Sequence, residues 1–207
     1  DFRPISVTPL LSRLAERLLI KHYLQPYVNH ELLRDQFAFR ITGSTTATLS
    51  CMMHKVTNWL ETSNYVRCIM IDFSKAFDVV DRALLLRKLK QLNAPSFTMK
   101  CISSFLSNRS QRTVLQGQSS DALPVNLGVV QGSALGPSHF SIFISDLRPI
   151  SSNNDMVKFA DDVTIIAPAG SDTDISDEFN NVKQWASDNK MTVNFMKTKE
   201  LVFRRPR

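Results

Sequence analysis

The chain has 207 residues, 43% of them hydrophobic, enough for one well-cored domain or a domain with a subdomain. Lysine and arginine outnumber aspartate and glutamate 25 to 19; the net charge of +6 suits a polyanionic partner but proves none, because no run of five basic residues occurs. Cys51, Cys68 and Cys101 are isolated and odd in number, which argues against a zinc signature or disulfide framework and for a reducing compartment; no apolar stretch reaches membrane-spanning length and no signal peptide opens the chain.

Residues 1–5 read as mid-strand and the chain stops just after the strand-like 200–203, so it is read as a segment of a longer polypeptide. Thr8-Pro9 is a good helix start, with a hydroxyl at the N-cap and proline in the first helical position. Leu10, Leu11, Leu14, Leu18 and Leu19 then keep helical spacing until Pro26. After a polar connection over 29–43, Ser44 or Thr45 caps a second helix whose apolar stripe is Leu49, Met52, Met53, Val56, Trp59 and Leu60. Residues 66–71 are apolar except for Arg67 and rich in β-branched side chains, the mark of a strand buried on both faces, and they end on Asp72.

Asp81 is an N-cap for a helix over 82–92, Asn93-Ala94-Pro95 breaks it, and a further helix runs to about Leu106. Residues 113–115 and 123–130 look like strands around the turn-forming 117–121. Gly128, Gly132 and Gly136 lie between a strand and a helix predicted over 138–147; they would let backbone approach something closely, although a plain strand-to-helix turn reads the same. Residues 156–159 and 163–166 flank Asp161-Asp162 as a hairpin, 169–177 is a surface loop, and Ile175, Phe179, Val182 and Trp185 mark another helix. Finally 191–194 and 201–203 flank Lys197-Thr198-Lys199. This order of elements describes an α+β domain.

Two apolar runs therefore deliver carboxylates at their ends, Asp72 after one and Asp161-Asp162 after the other, with few cations nearby in sequence. Each acid alone would also suit a turn or a cap. Carboxylates crowded at buried strand ends repel one another unless something positive sits between them, and a hard divalent cation, Mg²⁺ above all, is the simplest answer.

Six ordered motifs spread over nearly the whole chain carry a resemblance. They are Arg3-Pro4-Ile5-Ser6, Gln36-Phe37-Ala38-Phe39-Arg40 with Ser44-Thr45, Asp72-Phe73-Ser74-Lys75-Ala76-Phe77-Asp78, the stretch from Gly128 to Pro137, Phe159-Ala160-Asp161-Asp162, and Asn194 with Lys197-Thr198. Together they resemble the reverse transcriptases, most closely those of non-LTR (LINE-like) retrotransposons. Ala38 stands where that family usually has Gly, Val130 where it has Pro, and Ser138-His139 replace Leu-Leu.

The resemblance implies an α+β right-hand polymerase in which an antiparallel palm sheet carries the catalytic aspartates and packs on helices. Residues 1–64 would be mainly fingers and 65–207 mainly palm, with fingers elements returning between about 82 and 130. The thumb, and any endonuclease, would lie elsewhere in the parent polypeptide. The implied activity is RNA-directed DNA polymerisation on an RNA template and DNA primer from deoxynucleoside triphosphates, inside the cell, in nucleus and cytoplasm. Mg²⁺ would serve, with Mn²⁺ as a substitute, and two ions ~3.5–4 Å apart can hold the attacking and leaving oxygens of such a phosphoryl transfer.

Residue by residue, the resemblance makes Asp72 and Asp161 the main metal ligands, with Asp162 beside them in a weaker role and the backbone of Phe73 touching metal or triphosphate. Arg3 would clamp the triphosphate with its forked guanidinium. Phe77, five residues past Asp72, would be an aromatic gate against the ribose 2′-hydroxyl. Gln131 and Gly132 would line the nucleotide site, Lys197 is either a proton donor to pyrophosphate or a solvated loop lysine, and Arg40 would contact nucleic-acid backbone. Asp78 and Asp81 are assigned to a turn and a helix cap. Two other readings stay open: a descendant that has lost catalysis and only binds nucleic acid, and a related polymerase that makes RNA or primes from an intron.

Overall fold

The computed structural model describes residues 6–205, so the strand expected at 1–5 and Arg3 fall outside the described residues. Helix α1 (Leu10–Leu19) forms where the leucines recur, but its N-cap is Pro9, and the hydroxyl of Thr8 is buried without a hydrogen-bond partner instead of capping. Leu10, Leu11, Leu14 and Leu18 face outward. What α1 buries is Glu16, whose carboxylate accepts from the N–H groups of Ala134 (2.7 Å) and Leu135 (3.2 Å). Nor does Pro26 stop the chain from coiling: a π turn over 20–24 leads into a 3₁₀ turn over 25–27, and Pro26 sits in that first turn, where its missing N–H costs nothing.

Helix α2 (Thr45–Thr62) is capped by Ser44, whose hydroxyl oxygen accepts from Ala47 N (3.0 Å). It buries Met52 and Val56 and leaves Leu49 and Met53 exposed. Strand β1 (Tyr65–Ile71) follows, then α3 (Ala76–Val79) and α4 (Arg82–Lys90), the latter capped by Asp81 through Leu84 N at 2.9 Å as expected. After α5 (Ser96–Leu106) come four two-residue strands, β2 (Ser110–Gln111), β3 (Val114–Leu115), β4 (Gln118–Ser119) and β5 (Leu123–Pro124). The long strand expected over 123–130 is not formed. All four short strands are exposed, so they pair only locally, β2 with β5 and β3 with β4, with no core to extend them.

Helix α6 (Leu135–Phe143) starts earlier than the predicted 138–147, where Glu16 and the Ser133 hydroxyl satisfy its first N–H groups, and it also ends earlier. The chain closes with β6 (Asp155–Phe159), β7 (Asp162–Pro168), α7 (Ile175–Asp188) and β8 (Lys199–Arg204). The main sheet has the order β6-β7-β1-β8 and is antiparallel throughout.

Its alternation explains the unbroken apolar run of β1. Val66 and Cys68 point into a small core with Met52, Val56, Val157 and Ile166 under α2, while Ile69 and Ile71 join the main core with Val163, Ile165, Phe140 and Phe143. Strand β1 is thus covered on both faces, while the outer strand β8 is largely exposed. No helix among the described residues is long and apolar enough to cross a membrane.

His139 sits in that main core, fully buried, and neither ring nitrogen has a hydrogen-bond partner; burial pushes its pKa down to about 4, so it is neutral. An unpaired buried polar group costs about 1–3 kcal/mol. The His139→Leu protein is therefore expected to melt a few degrees higher, which differential scanning calorimetry would measure; a lower melting temperature would refute the account.

Candidate active site

Strand register brings the two acidic segments together. Ile71 lies opposite Val163 in the β1–β7 pairing, so one further step sets Asp72 opposite Asp162. Asp72 is held there by the chain that precedes β8: its carbonyl accepts from Asn194 N (2.8 Å), Phe73 bridges Val193, and Ser74 N donates to Thr192 O (2.9 Å). The next residues form a turn closed by Thr198 N to Asn194 O (2.9 Å), and Asn194 Oδ1 accepts from Lys197 N (3.3 Å). That turn projects Lys197, whose Nζ lies 3.8 Å from Asp72 Oδ2.

The Asp162 carboxyl is held above the ordinary aspartate range, first by shielding from solvent and second by the like charge of Asp72, with Lys197 pulling the other way. The sequence reading gave Asp161 the leading role and Asp162 the weaker one; the register sets Asp162 against Asp72, with Asp161 one residue earlier in the turn. Among the described residues no three acidic, histidine or cysteine side chains already converge as a metal cluster. Two opposed carboxylates are nonetheless hard oxygen donors whose repulsion a divalent cation would relieve, so the donor set fits Mg²⁺.

The hairpin is tight. Phe159 pairs with Asp162 and leaves only Ala160 and Asp161 as its loop, with Ala160 at φ +56°. Hairpin turns demand positive φ, which costs an alanine about 1–2 kcal/mol that a glycine would be spared. Gln36 stabilises this conformation: its buried side chain accepts from Ala160 N (2.8 Å) and donates to Ala160 O (3.1 Å). Sequence reading singled out the Gln36–Arg40 stretch but gave Gln36 no role. Nothing local could, since its partner lies 124 residues away.

Phe77 lies flat on Phe140 (centroids 4.2 Å apart, 16° between planes), with Phe39 edge-on at 6.2 Å. Its carbonyl accepts from Val129 N (2.9 Å), which ties α3 to the glycine-bearing strand-to-helix turn. Gly128, at φ +79°, is required there: a Cβ would come within 2.7 Å of the Asp78 carbonyl oxygen. Gly132 is exposed at φ +90°. Gln131 donates through Nε2 to Asp78 Oδ1 (2.6 Å), so Asp78 does more than the local turn assigned to it. The Arg40 guanidinium donates to the carbonyls of Leu33 (2.8 Å) and Gln36 (3.2 Å), a hold on its own segment. Asp72, Phe73, Asp162 and Lys197 thus gather at one end of the sheet.

Comparison with known proteins follows the same lines. A family model described as reverse transcriptase (RNA-dependent DNA polymerase) matches residues 1–205. The chain is 28% identical over 215 aligned positions to the RNA-directed DNA polymerase from mobile element jockey of Drosophila melanogaster, covering 98% of this chain and 23% of that protein. It is 32% identical to the probable RNA-directed DNA polymerase from transposon BS of the same species, over 71% of this chain and 16% of that protein. The chain thus spans about a quarter or less of these relatives. Among solved structures, apo telomerase from Candida tropicalis, truncated from its C-terminal domain, superposes with a TM-score of 0.64 at 16% identity over 95% of this chain and 40% of that one, a likeness of fold.

Proposed function

The chain belongs to the reverse transcriptase family, and from that premise we propose that the polypeptide containing it copies an RNA template into DNA by adding deoxynucleotides to a primer 3′-hydroxyl. The observation that carries this reading is the meeting of Asp72 and Asp162 across β1 and β7, two acids far apart in the chain, with Lys197 beside them. In this reading the sheet with its covering helices is the palm, residues 1–64 and parts of 82–130 are fingers, and the thumb belongs to the rest of the polypeptide.

Asp72, Asp161 and Asp162, with the backbone of Phe73, would hold Mg²⁺ or Mn²⁺. The bound ions would supply positive charge to the phosphoryl oxygens as the primer hydroxyl attacks and pyrophosphate departs. The protein's own groups do the rest. The Phe77 ring, braced from behind by Phe140, excludes a 2′-hydroxyl from the sugar position. The exposed backbone at Gly132 admits the nucleotide closely, Gln131 sits beside it, and Arg3 grips the triphosphate. Lys197 is exposed enough to reach the leaving pyrophosphate and hand it a proton. Arg40, anchored to carbonyls through Nη1 and next to His30 through Nη2, would contact template or primer phosphates.

The test is primer extension by the intact polypeptide on an RNA template, with and without Mg²⁺, using deoxy- and ribonucleotides in parallel. Mg²⁺-dependent synthesis restricted to deoxynucleotides is expected. Phe77→Ala should raise ribonucleotide use relative to deoxynucleotide use on the order of tenfold; an unchanged ratio would remove Phe77 as the gate. Salt-sensitive RNA binding without any synthesis would favour a nucleic-acid-binding descendant instead.

A further inference from the structure

Gln36 does two things at once. Its backbone lies along the outer edge of β6 in a parallel bridge to Lys158, with Lys158 N donating to Asp35 O (2.7 Å) and Phe37 N to Lys158 O (2.9 Å). The segment thereby covers an edge that the four-stranded sheet would otherwise leave open. Its side chain then passes beyond the end of the strand. Oε1 accepts from both Ala38 N (3.0 Å) and Ala160 N (2.8 Å), and Nε2 donates to Ala160 O (3.1 Å). Two N–H groups converging on one oxygen fix which way the amide points.

Every polar group of the Ala160 backbone is therefore held by one buried side chain 1% exposed to solvent, at the residue whose φ of +56° makes the two-residue turn. Asp161 is the next residue and Asp162 the one after it. An alanine in the left-handed region has a strong tendency to relax, and relaxation would swing both hairpin aspartates. No shorter side chain at position 36 spans the gap while keeping the bond to Ala38.

We propose that Gln36 is a positioning residue that locks the Ala160-Asp161 turn and thereby sets how tightly the hairpin aspartates, with Asp72, hold a divalent cation. The inference rests on the polymerase reading only for what the cation is used for. The locking itself is a property of this chain.

The test uses the intact polypeptide and three readouts: hydrogen–deuterium exchange of a peptide covering 156–166, Mn²⁺ titration followed by electron paramagnetic resonance, and primer extension. Gln36→Leu, which keeps the bulk and removes all three hydrogen bonds, should speed exchange at the turn by about tenfold, weaken Mn²⁺ by a similar factor, and slow extension, with exchange in α7 unchanged. Adding Ala160→Gly to that variant should recover part of the Mn²⁺ affinity, because glycine adopts positive φ without the strain that Gln36 offsets. If Gln36→Leu does not fold, Gln36→Asn, one methylene too short, carries the same expectations.

Unchanged exchange at the turn would overturn the proposal. So would faster exchange across the whole chain with Mn²⁺ affinity intact, the signature of a merely structural residue. The polymerase reading fails separately: a parent polypeptide that makes no Mg²⁺-dependent extension on an RNA template would sink it while leaving the exchange and Mn²⁺ results for Gln36 standing.

Discussion

The Asp72→Asn polypeptide is expected to lose primer extension by about 10³-fold or more, yet to melt no lower, and in the absence of divalent metal slightly higher, than the parent. The two halves of this result come from one fact. Asp72 faces Asp162, and its negative charge is one of the reasons the Asp162 carboxyl is held above the usual range. Such a pair is useful for gripping a cation and unfavourable without one. The sign follows from linkage: a carboxyl whose folded pKa lies above its unfolded value of 3.8 favours the folded state at low pH, and that contribution is lost as pH rises through the folded value. Neutralising Asp72 removes part of the repulsion, so the gap in melting temperature between variant and parent should open as pH rises above about 4. Added Mg²⁺ should close it by stabilising the parent alone, by about 2.7 kcal/mol at a concentration 100 times the dissociation constant. Thermal melts over pH, with and without Mg²⁺, check this. A variant that melts well below the parent in metal-free buffer would mean that the two carboxylates do not oppose one another, and full extension activity would remove Asp72 from the site.

Much of this site could be read from the chain because burial on both faces leaves a plain signature. The run 66–71 and the paired runs around Asp161-Asp162 are legible since most of their apolar side chains meet one of two cores, with Arg67 the one charged break in the first run. What could not be read depends on distant partners. Helical spacing at Leu10, Leu11, Leu14 and Leu18 reveals a helix but not what covers it, and here the buried contact is Glu16 on the start of α6. The same contact, 118 residues apart, moves the start of α6 away from where local signals put it. The apolar residues in 123–130 suggest a strand, but Leu123 and Leu127 are exposed and the main sheet offers them no edge. Which hairpin aspartate lies across from Asp72 follows from strand register, which motif order does not contain.

The second large effect lies behind the hairpin, in a charge the sequence showed only as a lysine in a strand. Lys158 is fully buried in β6, immediately before Phe159, and its ammonium donates to the carbonyls of Ile144 (3.2 Å) and Leu147 (2.5 Å) and pairs with Asp35 Oδ2 at 3.0 Å. Arg148 reaches the same oxygen at 2.6 Å. Burial pushes the Lys158 pKa down to about 8, with Asp35 opposing the fall and Arg148 adding to it. Asp35→Asn keeps the shape and removes the single negative charge between two cations. It is expected to destabilise the fold by about 3–5 kcal/mol at pH 7, the range for breaking a buried pair from one side. The pH dependence separates this from a general loss of packing. Because the folded pKa of Lys158 is lowered, folding is penalised while the group is charged, and stability rises as pH passes from about 8 toward 10.5. Without Asp35 the penalty at pH 7 is larger and the proton leaves sooner, so the deficit of Asp35→Asn should shrink as pH is raised, and Lys158→Met, which removes the buried charge and leaves Asp35 to Arg148, should cost far less. Urea unfolding of the three proteins between pH 7 and 9.5 would decide it: an Asp35→Asn deficit that is small, or constant over that range, would show that Lys158 is not held charged in the core.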